Sequence, residues 1–269
     1  AEHRVSSPPG RSLRTGGILS ERSRPMCAAP LGSAGRRPSS SLAGRVIDLH
    51  SHILPGLDDG PETLDGSLAL ARTAVRGGTQ VIAATPHINH LFPVDPAAIP
   101  DAVASLNATL AREGIPLEVV KGGEIAIPTL PRMDPDTLMT LRLGDSPWLL
   151  IEAPLGPVTA PIEDLVLGLR LRGHEVLLAH PERSLYFHQH PERLEQLVAA
   201  GVCCSITAGA LVGRFGQTVR RFTLKLFAQG LVHNVASDAH DEVRRPPGIL
   251  DGFESAEADM PGLLGQGPG

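Results

Sequence analysis

From Arg45 onward, short apolar runs alternate with segments of helical period. Residues 46–49 read as a strand. Over 63–76, Leu64, Leu68, Ala71 and Val75 recur at helical spacing, and Gly77-Gly78 stops the run. A second strand over 81–84 precedes a helix over 96–113, closed by Gly114. Strand 117–120 leads into an irregular stretch through Asp145, and strand 148–151 follows. Helix 160–172 stops at Gly173, strand 176–179 at His180, and helix 191–200 at Gly201. Strand 202–206, helix 217–229 with Gly230, and strand 232–236 complete the series.

Seven strand–helix units in alternation predict parallel strands joined by crossover helices. The strand runs are mostly continuous in apolar character, as strands covered on both faces are. Polar residues mark the ends of strands one to five and seven, and a barrel gathers six strand ends around one point. The expectation is therefore α/β, a barrel with its site at the C-terminal face.

Composition changes the picture at the N-terminus. Residues 1–45 hold eight Arg against two Glu, so a net charge of −5 for the whole chain leaves −11 on the remainder. Residues 1–43 are rich in Ser, Pro, Gly and Arg without apolar periodicity, and are expected to be a disordered leader before a domain over 44–269. The acidic body argues against nucleic-acid binding and fits a protein that gathers divalent cations. No apolar run reaches the ~18 residues of a membrane span. Three Cys, two of them adjacent, read as a reducing, cytoplasmic setting.

The candidate chemistry lies at the strand ends. His50 and His52 are spaced i, i+2, which puts both imidazoles on one face of a strand. Asp59 follows close behind the same strand, and His87, Glu124, Glu152, His180, Asp238 and His240 occupy equivalent places after other strands. A lone His such as His87 is more often a hydrogen-bonded residue than a ligand; the recurrence of one residue class at one topological position changes that weighting. Imidazole with carboxylate and no Cys suits Mn, Zn or Fe. Nine ligands exceed the needs of one ion, so two or three ions are expected, the arrangement used for phosphoester cleavage. Arg183 and Arg245 are candidate phosphate partners, both catalytic and substrate-binding. His3, His90, His174, His188, His190 and His233 are read as solvent or packing residues, with His90 a candidate for the site mouth.

Competing motifs fail on context. Asp134-Pro135-Asp136-Thr137 lacks the apolar strand that an aspartyl-phosphate phosphatase places before it. Neither Cys203 nor Cys204 has an Arg six residues on, so no cysteine nucleophile is indicated. No phosphate-binding glycine loop of the nucleotide-binding kinds occurs.

The string IDLHSHILPGLDDGPET, followed in order by ATPH, GGEI, LLIEAP, AHPER, GRFG and ASDAH with RRPP, resembles the PHP (polymerase and histidinol phosphatase) superfamily. Within it, the likeness is to bacterial manganese-dependent protein-tyrosine phosphatases of capsule and exopolysaccharide operons. The resemblance runs from about Arg45 to Pro247. It implies a distorted (β/α)7 TIM-like barrel, the PHP fold, with a trinuclear centre, usually Mn. By motif match, the nine strand-end residues stand at its ligand positions, and Arg183 and Arg245 at its phosphate-facing arginines. The implied reaction is hydrolysis of phosphotyrosine on a phosphotyrosyl protein, a bacterial tyrosine kinase. The alternative is another PHP phosphoesterase, such as a histidinol-phosphate phosphatase. Two departures stand out. Residues 205–210 read Ser-Ile-Thr-Ala-Gly-Ala where relatives often carry Q-x-N-x-x-S, and the chain ends at Gly269 where relatives continue.

Overall fold

A computed structural model of the chain describes residues 46–156, 158 and 161–259. The leader over 1–43 and the chain end beyond 259 lie outside the described residues. The elements run β1 (Val46–Ser51), α1 (Leu64–Arg76), β2 (Thr79–Ala84), β3 (His87–Ile88), α2 (Ile99–Arg112), β4 (Glu118–Lys121) and β5 (Glu124–Ala126). They continue with α3 (Pro135–Thr140), β6 (Trp148–Glu152), α4 (Ile162–Leu171), β7 (Glu175–Ala179), α5 (Leu185–Gln189) and α6 (Pro191–Ala199). The last are β8 (Cys203–Thr207), α7 (Ala208–Leu211), α8 (Gln217–Ala228), β9 (Asn234–Ala236) and α9 (Ile249–Asp259).

Every strand pair among the described residues is parallel. The expected single ring is instead two sheets, ordered β1-β2-β4 and β3-β5-β6-β7-β8-β9. The split falls where β2 breaks before β3 and β4 breaks before β5. At the second break stand Gly122 and Gly123. A Cβ on Gly122 would sit 2.8 Å from Leu143 Cδ2, and one on Gly123 2.6 Å from Leu141 Cδ2. The chain gives up side chains here so that the segment after α3 can pack on the strand. The stretch after Ile125 through Asp145, expected to be irregular, contains a 3-10 turn (Ile127–Arg132) as well as α3. The sheets meet again at Ser51 and Ala239, which form an isolated parallel bridge. There His52 N–H donates to Ala239 O at 2.8 Å, and Asp238 N–H to His50 O at 2.9 Å.

Strand β7 shows why its run is apolar throughout. Val176 and Leu178 face one core cluster, and Leu177 and Ala179 face another, so both faces are covered. The first cluster spans sheet and helices and includes Ile82, Ile125, Ile151, Phe187 and Leu226. In α1, Thr63 Oγ1 accepts from Gly66 N–H at 3.2 Å and caps the helix start. Its core face is Leu68, Leu70, Ala71 and Ala74, whereas Leu64 is exposed. Gly114, Gly173, Gly201 and Gly230 all have positive φ just past helix ends, where a Cβ is penalised. Helices α5, α7 and α9 were not anticipated; the first two are five and four residues long, below the length at which apolar periodicity registers.

Candidate metal centre

All nine strand-end residues converge at the C-terminal ends of the strands. Glu124, at the start of β5, lies centrally. Its Oε1 is 2.7 Å from His180 Nε2, and its Oε2 is 3.0 Å from His87 Nδ1, 3.3 Å from His50 Nε2 and 3.4 Å from His52 Nε2. Asp238 Oδ1 lies 3.5 Å from His50 Nε2 and 3.6 Å from His52 Nε2. Asp59 Oδ1 lies 3.2 Å from His240 Nε2 and 3.5 Å from His87 Nε2. Four sets of side chains each bring ligand atoms within 4.8 Å of one another: His52-Asp59-His87-His240, His50-His52-Asp238, His50-Glu124-His180 and His87-Glu124-Glu152. His50, His52, His87 and Glu124 each belong to two sets.

The donor set fits divalent cations. Glu124 Oε2, His87 Nδ1 and His240 Nε2 are buried and have no hydrogen-bond partner. Buried polar atoms ordinarily find one, and these three point at other ligand atoms. Burial pushes His180 and His240 down, toward the neutral imidazole that a metal requires. Burial alone would raise Glu124, but the charge of His50, the hydrogen bond with His180 and the close approach of the His50 and His52 rings hold it well below the usual carboxylate range. Glu152 behaves oppositely: burial and the neighbouring charge of Glu124 push it up to about 7.

Backbone strain is concentrated here. His180 (φ 35°) and Asp238 (φ 52°) are the non-glycine residues at positive φ among the described residues. Such conformations cost energy and persist where the surroundings fix them. The N–H groups of His180 and Asp238 are fixed by Ser205 O at 2.7 Å and His50 O at 2.9 Å. Gly60 is required by a close approach, because a Cβ there would collide with the carbonyl oxygen of His52.

The model of the family described as capsular polysaccharide synthesis, CpsB/CapC, matches residues 46–260. The chain belongs to the CpsB/CapC family. It is 41% identical over 197 residues to tyrosine-protein phosphatase YwqE of Bacillus subtilis, covering 73% of this chain and 78% of that protein. It is 30% identical over 202 residues to the putative tyrosine-protein phosphatase CapC of Staphylococcus aureus, covering 75% and 79%. Among solved structures it is similar to one of the crystal structures of YwqE from B. subtilis and CpsB from Streptococcus pneumoniae, unique metal-dependent tyrosine phosphatases. The TM-score is 0.73 at 37% identity, over 80% of this chain and 87% of that one.

In this CpsB/CapC chain, both arginines singled out in the sequence contact a candidate ligand. Arg183 Nη1 and Arg245 Nη2 donate to Asp238 Oδ2 at 2.7 and 2.5 Å. The two guanidiniums therefore bracket the outer oxygen of a carboxylate whose other oxygen faces the histidines.

Several supporting residues escaped the sequence reading. Asp58 Oδ2 is 2.6 Å from His52 Nδ1 and accepts from His87 N–H at 2.9 Å. Asp48 accepts from Ser237 N–H at 3.0 Å and from Ser237 Oγ–H, tying the loop after β9 to β1. A signal for Asp48 existed, since positions 48, 50 and 52 share one strand face. Glu182 is buried, and its Oε1 accepts from Thr207 N–H and Oγ1–H, both at 2.8 Å. Thr207 lies in the stretch that departs from the resembled pattern, so that stretch does support the site's surroundings. Three of the histidines set aside bond away from the cluster: His188 Nε2 to Glu182 O at 2.7 Å, His233 Nδ1 to Cys204 N–H at 3.1 Å, and His174 Nδ1 to Arg142.

Proposed function

We propose that this protein hydrolyses phosphotyrosine on proteins with the help of divalent cations. The observation that carries the reading is the shared quartet-and-triad arrangement of nine His, Asp and Glu side chains, in a chain 41% identical to a tyrosine-protein phosphatase. The ligands are His50, His52, Asp59, His87, Glu124, Glu152, His180, Asp238 and His240. Four of them belong to two sets each, which supports adjacent ions, two or three in number. Ions so placed supply Lewis-acid polarisation of the phosphoryl group and activation of water.

The chain's own residues hold and orient the phosphate. Arg183 and Arg245 stand beside Asp238 with their remaining N–H groups available to phosphate oxygens. Asp58 fixes the His52 ring, so that Nε2 faces the cluster. A cytoplasmic setting, which rests on the cysteine usage, belongs to the same proposal. Mn as the metal and a bacterial tyrosine kinase as the substrate belong to it too and rest on the family resemblance. So does a distorted (β/α)7 barrel. It is supported by the two broken strands β2/β3 and β4/β5, each counted as one stave, and by the bridge from Ser51 to Ala239.

The test is phosphate release by metal-stripped protein, with and without added Mn, from a phosphotyrosyl peptide and from histidinol phosphate. Mn-dependent release from the peptide is expected. Release from histidinol phosphate alone would move the function to that alternative.

A further inference from the structure

The chain has only eight aromatic residues besides His. One of them, Phe215, stands against the site in the loop between α7 and α8. Its ring covers the Arg183 guanidinium, with Cζ 4.4 Å from the ring centroid. Arg183 is in turn fixed to Asp238. The ring, guanidinium and ligand carboxylate therefore form one stack leading into the cluster. The inner edge of the ring is seated by Gly209, where a Cβ would come 3.2 Å from Phe215 Cε2.

Phe215 is only partly buried, although an aromatic ring is costly to leave in water. With Asp238, Arg245, Arg214 and Gly209 it lines a cavity of about 120 Å³. The cavity thus begins at a candidate ligand and at Arg245, and Phe215, which stacks on Arg183, supplies its aromatic wall. A phosphate held at Arg183 and Arg245 would direct its ester substituent toward this wall. A phenol ring there gains offset or edge contact with Phe215, while an alkyl ester gains none of it.

We propose that Phe215 is a specificity-determining residue, packing against the phenol ring of a phosphotyrosyl substrate and favouring aryl over alkyl phosphate esters. This rests on the phosphotyrosine reading. The same stack could instead act only by holding Arg183, and the two roles separate experimentally.

The experiment is calorimetric titration of Mn-loaded wild type, Phe215→Ala and Phe215→Trp with phenylphosphonate and with inorganic phosphate. Phosphotyrosyl-peptide kinetics are run alongside. Phe215→Ala is expected to weaken phenylphosphonate binding about tenfold and raise the peptide KM similarly, with phosphate affinity within about twofold. Phe215→Trp, which keeps an aromatic face, is expected to retain discrimination. Equal loss for both ligands would assign Phe215 to positioning Arg183 and overturn the proposal. Unchanged discrimination in Phe215→Ala would overturn it too. Failure of wild type to hydrolyse the peptide would instead count against the phosphotyrosine reading itself.

Discussion

The carboxylate of Asp58 lies 2.6 Å from Nδ1 of His52, while Nε2 of the same ring lies 3.3 Å from His50 Nε2. One face of the imidazole is thus committed to an orienting acid and the other to the cluster. Partners of this kind hold a ligand ring in register and raise its basicity. Asp58→Asn is expected to lower Mn affinity by about 10- to 100-fold while leaving the fold intact. Calorimetry with Mn checks this, and unchanged affinity would remove Asp58 from the site.

His50 and His180 reach Glu124 from β1 and from the end of β7, at 3.3 and 2.7 Å. His50→Ala and His180→Ala are each expected to reduce hydrolysis to background, with far-ultraviolet circular dichroism like that of wild type. Normal turnover in either variant would contradict the ligand assignment.

Arg183 and Arg245 share Asp238 Oδ2, so removing one leaves the other in place. Arg183→Ala is therefore expected to cut kcat for the phosphotyrosyl peptide by at least about tenfold and Mn affinity by less, since phosphate loses a charge-assisted contact. Loss of Mn affinity without a separate rate effect would show that Arg183 serves only Asp238.

Burial raises Glu182 from 4.5 to about 7, against the hydrogen bonds from Thr207. Between those two values the unfolded carboxyl is ionised while the folded one keeps its proton. The unfolded state then binds fewer protons, so stability falls as pH rises from about 4.5 to 7 and levels off above. Thermal unfolding of metal-free protein across this range checks the sign. Glu182→Gln, which keeps an oxygen acceptor for Thr207, is expected to flatten the slope.

Glu152 also titrates near 7, where burial and Glu124 place it. Ligation requires its carboxylate, so Mn must displace a proton below that pH. Mn affinity is expected to rise from pH 6 to pH 8 and to lose part of that rise in Glu152→Gln. A pH-independent affinity would exclude Glu152 from the ligand set.

Much of this site is legible from the residues alone. The i, i+2 spacing of His50 and His52 needs only the period of a strand to put both rings on one face. The helix stops at Gly114, Gly173, Gly201 and Gly230 need only the αL preference of glycine. Asp58 was harder to read: Asp58 and Asp59 are adjacent and chemically identical, and only the turn closed at Gly60 decides which one meets Nδ1 of His52 and which one meets His240.

The alternation of apolar runs, the polar strand ends and their imidazole–carboxylate chemistry were fixed by the sequence through local periodicity. The break that divides β4 from β5 was not, because it depends on Leu141 and Leu143 packing against Gly122 and Gly123. Nor was the pairing of two arginines with one oxygen of Asp238, which joins side chains 55 and 7 residues away. Contacts of that range are set by how strands stack and where strained residues such as His180 and Asp238 turn the backbone, and that is decided only when the whole chain is packed.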